Sequence, residues 1–344
     1  MEGMIRSEIG SEFWDVPVSN NVNDLFPRNT QWYLSGRSAL SAILKSNKIK
    51  TVALPSWCCD SMIKPFIDSG IRVKFYYTDG VRQQIFDTDC DAVLLMDYFG
   101  YSGYSSVPDG YCGIVIRDVT HSLFSEIKMD ADYYYGSLRK WCGVYSGGFA
   151  WSKRGFIERA VESKEEIVEL RRQAMKKKSD YIYGRSISKQ YLDIFSEGEK
   201  YLDRLVGAYK AASEDIDRIK HLDIDFIRRK RRENATVLME GLRPYCIFQE
   251  LKDGDCPLYV PIMVKQRDEL RKWLISNEIY CPIHWPLTTM HSFDHSLKEI
   301  YYSELSLICD QRYQIDDMKR IVNAVKEGLN YVENIHNRTG NGMG

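Results

Sequence analysis

The sequence predicts an α/β protein in which a large, mostly parallel sheet is followed by a smaller α+β domain. Short apolar runs alternate with helical stretches over the first part of the chain, a charged helical region follows, and a second set of apolar runs and helices comes last. Such alternation is typical of a parallel sheet covered on both faces. A chain of 344 residues is long enough for two such domains. From composition we expect a large domain at 1–220, a small one at 221–336 and a disordered tail at 337–344.

The first part of the chain carries the signals of the large sheet. A helix is predicted at Arg37–Leu44, where apolar residues recur at helical spacing after the Ser35-Gly36 turn, and another at Ser61–Ser69. The apolar runs that predict strands are Thr51–Pro55, Val73–Tyr77, Asp91–Met96, Ile114–Asp118, Tyr133–Leu138 and Gly147–Trp151.

The second part begins with a charged, helical region from Lys153 to Ile219. Its basic run Met175–Lys178 is interpreted as a solvated helix face. The elements predicted after it are a helix at Asp223–Leu242, strand-like runs at Cys246–Leu251 and Leu258–Val264, and helices at Arg267–Ser276 and Asp316–Asn334.

Composition excludes several classes of function. Hydrophobic residues make up 44% and charged residues 28%, as in ordinary globular proteins, and the net charge of -1 disfavours a nucleic-acid-binding surface. We see no signal peptide and no apolar stretch of membrane-spanning length, so we expect a soluble, cytoplasmic protein. The nine cysteines have no paired C-x-x-C spacing, so we expect reduced, mostly buried thiols and no metal site.

The stretch Ser137-Leu138-Arg139-Lys140 carries the most chemical information. It places a lysine at the end of a predicted strand, where it faces the ligand crevice of an open α/β sheet. Pyridoxal 5'-phosphate (PLP) needs such a lysine, because the amine condenses with the cofactor aldehyde and later moves the α-proton of the substrate. The same S-x-x-K pattern also serves as a serine nucleophile pair in penicillin-recognising enzymes, so the motif alone does not decide.

A second candidate group lies at the end of an earlier predicted strand, the one before the strand that leads to Lys140. Asp118 ends the run Ile114–Asp118, and His121 comes three residues later. An aspartate there can bind the pyridine nitrogen and keep it protonated, which makes the ring an electron sink, while His121 can touch the ring or its phenolic oxygen. Capping of the following helix accounts for Asp118 equally well.

Two further segments complete the predicted cofactor site. Backbone N–H groups at Gly36, Arg37 and Ser38 offer a phosphate cradle to which Arg37 adds a charge and Ser137 a hydroxyl, although a plain helix cap is the alternative. Trp57, after the run Thr51–Pro55, can stack on the pyridine ring or serve as a core tryptophan. Cys59 is the other candidate for that face of the ring.

Eight ordered segments between Ser35 and Lys326 resemble the DegT/DnrJ/StrS-type sugar aminotransferases. They are SGRSAL, LPSWCC, DYFGYSG, RDVTHS, GSLRKWCGVYSGG, RRENATVL, IHWPL and LSLICDQRYQIDDM. The resemblance implies a fold-type I PLP transferase with a seven-stranded type of sheet, and a homodimer with active sites at the subunit interface. It also implies transfer of an amino group, usually from glutamate, to a nucleotide-linked keto-sugar for cell-surface polysaccharide or related sugar biosynthesis.

The resemblance also assigns roles to residues. It implies that Lys140 is the Schiff-base lysine, that Asp118 binds the pyridine nitrogen, that His121 lies beside the ring and that Gly36–Ser38 bind phosphate. The pair His284-Trp285 matches a segment that lines the substrate entrance, with a packing pair at a strand end as the alternative.

The chain departs from the typical pattern in two places. Typical members have a serine five residues before the lysine, whereas this chain has Tyr135 there and its serine at Ser137. The segment G-Y-N-x-R-M is missing, and Tyr183–Glu199 takes its place, so we expect a divergent branch with an altered dimer contact and sugar pocket. The alternatives are a PLP enzyme of another type (a lyase, a dehydratase or an amino-acid aminotransferase) and a cofactor-free binding protein. Dehydratases of the family typically replace the lysine by histidine, so Lys140 counts against that version.

Overall fold

The computed structural model describes residues 8–78, 81, 83–84, 89–102, 106–126, 130–291 and 298–340. In chain order the strands are β1 (Ile9–Gly10), β2 (Gln31–Tyr33), β3 (Thr51–Pro55), β4 (Arg72–Thr78), β5 (Gln83–Gln84), β6 (Ala92–Met96), β7 (Ile114–Asp118), β8 (Tyr133–Ser137), β9 (Gly148–Ser152), β10 (Tyr259–Met263), β11 (Ile279–Tyr280) and β12 (Glu304–Ile308). The helices are α1 (Gly36–Lys45), α2 (Asp60–Asp68), α3 (Glu165–Ile182), α4 (Tyr191–Arg204), α5 (Ser213–Lys220), α6 (Ile224–Leu242), α7 (Arg267–Ser276), α8 (Lys298–Ser303) and α9 (Ile315–Gly340).

The large sheet has the strand order β2-β9-β8-β7-β6-β3-β4-β5 in the described part of the chain. Strands β4, β3, β6, β7 and β8 are mutually parallel, whereas β9 runs antiparallel to both of its neighbours. The mixed α/β architecture with a large, mostly parallel sheet is therefore confirmed. The central strands are apolar throughout because both faces are covered, and all five residues of Ala92–Met96 are buried.

The order of the strands creates a crevice beside β3. The chain goes from β3 outward to β4 and then crosses to the other side of β3 to begin β6. Ligands of open α/β sheets bind outside the carboxyl ends of the strands at such a reversal. The turns after β3, β6, β7 and β8 all open at this edge.

The C-terminal part is built around the antiparallel pair β10–β12, in which Tyr259 lies opposite Ile308. Helix α6 packs on α9, and α7 packs on α9 as well. The N-terminal strand β1 joins this part of the protein rather than the large sheet, because Ile9 and Gly10 pair in parallel with Ile279 and Tyr280.

Three sequence predictions differ from the structure. The run Cys246–Leu251 forms no strand and contributes only an isolated bridge between Cys246 and Ile262. The basic run is not uniformly solvated, since Lys178 is fully buried and pairs with Glu8, although Lys176 is exposed. The last helix is longer than the predicted Asp316–Asn334 and continues to Gly340, and 341–344 lie outside the described residues.

The described residues contain neither a candidate membrane span nor a candidate metal cluster. Within them, no helix is both long and apolar enough to cross a bilayer. In the same part of the chain, no group of three or more His, Cys, Asp and Glu side chains is arranged to hold a metal ion.

Candidate active site

Lys140 lies at the carboxyl edge of the sheet, at the end of a short 3-10 turn that follows β8. Its neighbours Leu138 and Trp141 are fully buried and anchor the turn, whereas Lys140 itself is exposed. Its charge lowers the pKa values of His121, His284 and Glu199. Burial raises the pKa of Cys59, and the charge of Lys140 opposes that rise. The ammonium group is therefore within electrostatic reach of all four side chains.

Asp118 ends β7, the strand next to β8, and is almost completely buried. Its Oδ1 accepts a hydrogen bond from the Thr120 backbone N–H at 2.8 Å, so the carboxylate does act as a local cap. Burial raises the pKa of this carboxyl group, and the hydrogen bonds from Thr120 oppose the rise. A cationic ligand atom beside it would be stabilised, because it would offset the cost of burying the charge.

The Tyr135 hydroxyl lies beside this carboxylate. Tyr135 lies directly opposite Asp118 in the register of β7 and β8, and its hydroxyl interacts with the Asp118 carboxylate without reaching the geometry of a regular hydrogen bond. Burial and the negative charge of Asp118 raise the pKa of Tyr135. Tyr135, which replaces the serine expected five residues before the lysine, therefore places a neutral hydroxyl next to Asp118 at the edge where the ligand would bind.

His121 is buried between the large sheet and the C-terminal part. Its ring stacks on Trp285 at a centroid distance of 5.6 Å and lies 5.1 Å from the ring of Phe99. Burial lowers the pKa of His121 to about 3, and the charge of Lys140 lowers it further in the same direction. The ring is therefore neutral, and because Nδ1 accepts the Phe99 backbone N–H at 3.4 Å, its proton is on Nε2.

The predicted phosphate cradle lies against β8. Ser35 caps α1 by accepting the Ser38 N–H at 3.2 Å, and a Cβ placed on Gly36 would lie 3.6 Å from the Ser137 Cβ. Gly36 therefore lies against Ser137, and Ser38 is in the first turn of the same helix. The guanidinium of Arg37 is paired with Asp203 of α4, so its charge is already partly neutralised.

His284 and Trp285 bring the C-terminal part to the same place. The His284 ring lies 5.5 Å from the ring of His121 and 4.9 Å from that of Tyr259. Both His284 and His121 have lowered pKa values because they are buried, and Lys140 contributes to each. The structure thus brings His284, Trp285 and His121 together beside the lysine.

Comparison with solved structures identifies the architecture. DesV of S. venezuelae, solved in complex with a ketimine intermediate, aligns with a TM-score of 0.59 and 16% identity over 87% of this chain and 84% of that one. Helicobacter pylori PseC, an aminotransferase involved in the biosynthesis of pseudoaminic acid, gives 0.63 and 13% over 92% and 99%. This chain has the fold of the sugar aminotransferases.

The same fold recurs in a structure solved with PLP. The PLP form of the putative sugar aminotransferase Spr1654 from Streptococcus pneumoniae aligns with a TM-score of 0.60 and 14% identity over 92% of this chain and 93% of that one. No family model and no curated protein matches the sequence. At these identities the likeness to sugar aminotransferases establishes the fold, and residue roles depend on the geometry of this chain.

Within the sugar aminotransferase fold, the two candidates for the face of the ring lie in different surroundings. Trp57 is fully buried, stacks on Tyr98 at 5.0 Å and 11°, and donates its indole N–H to the His284 carbonyl oxygen at 2.7 Å. Cys59 is partly exposed, and its thiol feels the charges of both Asp118 and Lys140. Cys59 therefore has the better position for a ligand between those two residues, with Trp57 as the support behind it.

Sequence reasoning missed an acidic side of the site on α4. Glu199 pairs with Arg139 and lies 3.0 Å from Arg171, and these cations together with Lys140 hold the pKa of Glu199 at about 2 despite its burial. One turn later on α4, Asp203 pairs with Arg37. The four-residue spacing of the two acids was visible in the sequence, but the cations that they meet are distant along the chain.

A buried ion pair at the end of β6 was also missed. Asp97 accepts a hydrogen bond from Arg117 at 2.6 Å and another from Ser122 at 3.0 Å. These bonds fix the turn that carries Tyr98 and the turn that carries His121 relative to each other. An aspartate directly after the apolar run of β6 was the available signal.

Proposed function

We propose that this chain is a PLP-dependent aminotransferase that moves an amino group from an amino acid, glutamate being the first candidate, to a nucleotide-linked keto-sugar. The observation that carries the proposal is the convergence of Lys140, Asp118, His121 and Cys59 at the carboxyl edge of this fold, next to the cradle at Gly36. Among the solved structures of this fold, DesI was determined in the presence of its TDP-sugar product.

The residues present fit PLP. A pyridine nitrogen would find the buried carboxylate of Asp118, a phosphate would find the α1 N-terminus and the Ser137 hydroxyl, and the aldehyde would find the exposed amine of Lys140. The buried carboxyl of Asp118, whose pKa is raised by burial, is the independent sign that a cationic partner belongs there. When bound, PLP supplies the electron sink that stabilises a carbanion next to the transferred nitrogen.

The protein's own groups then divide the work. Asp118, whose Oδ1 is oriented by the Thr120 N–H, would hold a proton on the pyridine nitrogen. His121 is neutral with its Nε2–H free of any hydrogen bond among the described residues, so it would donate to an oxygen of the ring. The amine of Lys140 would move the proton at the substrate α-carbon, and the aromatic wall of Trp285 and Phe99 excludes water around His121.

The proposal is tested first with Lys140→Ala against Lys48→Ala, an exposed lysine elsewhere on the protein. Wild type and the control should bind PLP with a visible band that changes on addition of glutamate. Borohydride reduction should fix the cofactor mass on the peptide that contains Lys140. Lys140→Ala should lose that mass and lower turnover by ~10³-fold or more, since it removes the proton-transferring group.

Two results would contradict the proposal at different levels. A wild-type protein whose band ignores every amino donor would exclude transamination and leave a PLP enzyme of another type. A colourless protein that takes up no PLP, with Lys140→Ala indistinguishable from it, would favour a cofactor-free binding protein.

The acceptor and the assembly are part of the same proposal. Keto-sugar nucleotides mixed with the pyridoxamine-loaded protein in single-turnover spectroscopy should restore the PLP band. A protein in which keto acids restore the band and keto-sugar nucleotides do not would be an amino-acid aminotransferase. We propose a cytoplasmic homodimer, which the exposed apolar side chains of Phe156, Val161 and Ile187 support. A monomer in sedimentation equilibrium at micromolar concentration would contradict the dimer.

A further inference from the structure

Glu304, Ser306 and His284 form a closed, buried ring of hydrogen bonds behind the candidate active site. Glu304 and Ser306 are fully buried on β12, and His284 is 4% exposed. Glu304 Oε2 accepts the His284 backbone N–H at 2.6 Å, and Glu304 Oε1 lies 2.5 Å from Ser306 Oγ. Ser306 Oγ in turn lies 2.8 Å from His284 Nδ1, which closes the ring.

The positions of the protons in this ring are linked. Because Oε2 is already an acceptor, a neutral Glu304 must carry its proton on Oε1 and donate it to Ser306 Oγ. The serine hydroxyl then donates to His284 Nδ1, and the imidazole proton is on Nε2. When Glu304 is ionised, the serine donates to the carboxylate and accepts from Nδ1–H, which leaves Nε2 with a lone pair.

The outer nitrogen of His284 has no protein partner among the described residues. Nε2 makes no hydrogen bond with any of them, although the side chain is only 4% exposed. The His284 imidazole lies 5.5 Å from the His121 imidazole, and the charge of Lys140 lowers the pKa of both histidines. A ligand held between Lys140 and His121 would therefore lie close to the His284 imidazole.

We propose that Glu304 is a positioning residue that acts through Ser306 to choose which ring nitrogen of His284 carries the proton. His284 then presents a donor to the ligand when Glu304 is protonated, and an acceptor when Glu304 is ionised. A donor suits the carboxylate of an amino donor or the carbonyl of a keto acceptor, whereas a lone pair suits a hydroxyl or an ammonium group. The role toward a ligand rests on the proposed function, but the proton linkage does not.

The surroundings of Glu304 place the change near neutral pH. Burial raises the pKa of Glu304 to about 8, and the hydrogen bonds from Ser306 and His284 and the charge of Arg267 oppose the rise. Arg267 reaches it from α7 through the Glu304 carbonyl oxygen at 2.9 Å, and Cys281 is the other titratable group that Glu304 influences. Among the described residues, Arg267 is the charged group that acts on the pKa of Glu304.

The test is ¹⁵N NMR of the histidine rings in the full chain without PLP or substrate, followed from about pH 6 to about pH 10. In the wild type, the His284 Nε2 signal should change from the protonated to the unprotonated type as the Glu304 carboxyl carbon titrates. A His284 signal that stays constant while Glu304 ionises would overturn the linkage.

Glu304→Gln provides the decisive variant. Its carbonyl oxygen should replace Oε2 toward the His284 N–H, so its NH₂ group must donate to Ser306, and His284 should stay Nε2-protonated at every pH. Ser306→Ala removes the connection and should abolish the pH-dependent change. Glu299→Gln, an exposed glutamate on α8, is the matched control and should titrate like the wild type. A Glu304→Gln protein in which His284 still titrates like the wild type would refute the proposal.

Kinetics then separate this inference from the proposed function. In an active transaminase, Glu304→Gln should remove the change in kcat/KM near the pKa of Glu304 and leave the PLP band in place. If no amino donor reacts, the NMR result still stands or falls on its own. An unchanged pH profile in an active Glu304→Gln enzyme would overturn the role of His284 toward the ligand.

Discussion

Gly148→Ala tests the packing that holds the predicted phosphate cradle. Gly148 begins β9 and lies opposite Tyr33 of β2. A Cβ at this position would overlap the carbonyl carbon and oxygen of Ser35 and would lie only 2.8 Å from the Ser35 Cα, closer than Cβ atoms pack in proteins. The neighbour is backbone rather than a flexible side chain, so the Ser35 segment has to move.

The cost follows from what Ser35 does. It caps α1 through the Ser38 N–H, and its carbonyl accepts the first helical hydrogen bond from the Ala39 N–H at 3.0 Å. Losing the cap costs roughly 1 kcal/mol, losing the helical hydrogen bond about 1 kcal/mol, and overpacking ~1–3 kcal/mol. We expect Gly148→Ala to lower the free energy of unfolding by about 3–5 kcal/mol and PLP affinity by at least ~10-fold.

Urea titration and PLP titration of the same preparations measure both effects. Gly198→Ala is the control, because a Cβ there would make only ordinary contacts, 3.8 Å from Leu170 and 3.9 Å from Arg171. Since Gly198 is inside α4, alanine should stabilise the protein by roughly 0.5–1 kcal/mol. A Gly148→Ala protein whose free energy of unfolding is within about 0.5 kcal/mol of wild type would contradict the predicted clash with Ser35.

Three further predictions concern the residues that we propose to surround the cofactor ring. Burial lowers the pKa of His121 to about 3, so below about pH 6.5 the unfolded chain binds a proton at His121 that the folded protein does not bind. The free energy of unfolding should therefore fall as the pH drops below about 6.5. His121→Gln should make that acid slope shallower by up to ~1.4 kcal/mol per pH unit in urea titrations, and equal slopes would contradict the assignment. Trp57→Ala should lower the free energy of unfolding by ~3–5 kcal/mol because Trp57 is fully buried, and a loss below about 1 kcal/mol would mean that the indole lines an open pocket instead. Alkylation followed by mass spectrometry should label the exposed Cys112 first and the partly exposed Cys59 more slowly, and bound PLP should protect Cys59 alone; unprotected Cys59 would exclude it from the face of the ring.

The sequence was most informative where local pattern decides structure. The strand Ile114–Asp118 and the helix Arg267–Ser276 have the predicted bounds, because apolar runs and helical spacing are local signals. The candidate residues that follow strands lie at one edge of the sheet, since all parallel strands present their carboxyl ends at one edge; their roles stay predictions.

The rest depends on pairings that no local pattern contains. Lys178 belongs to a basic run that looks solvated, but its partner Glu8 is 170 residues away along the chain. Cys246–Leu251 is apolar enough for a strand, yet β10 has β12 as its ladder partner instead. The relay from Glu304 to His284 joins a strand to the segment after β11, and the alternation of Glu304 and Ser306 with the leucines of β12 was its trace in the sequence.

The short strand β1 has a consequence for how the protein comes apart. Ile9 pairs with Ile279 and Gly10 with Tyr280, Gly10 also donates to the Tyr313 hydroxyl at 2.8 Å, and the Asp15 carbonyl accepts the Gly143 N–H at 2.8 Å. Residues 9–15 therefore bind both the segment behind Lys140 and the part of the protein that follows residue 220. If the chain were cut near residue 220, the N-terminal half would keep β1 without its partner and the C-terminal half would keep β11 unpaired. The two halves should therefore unfold in a single transition rather than behave as separable modules.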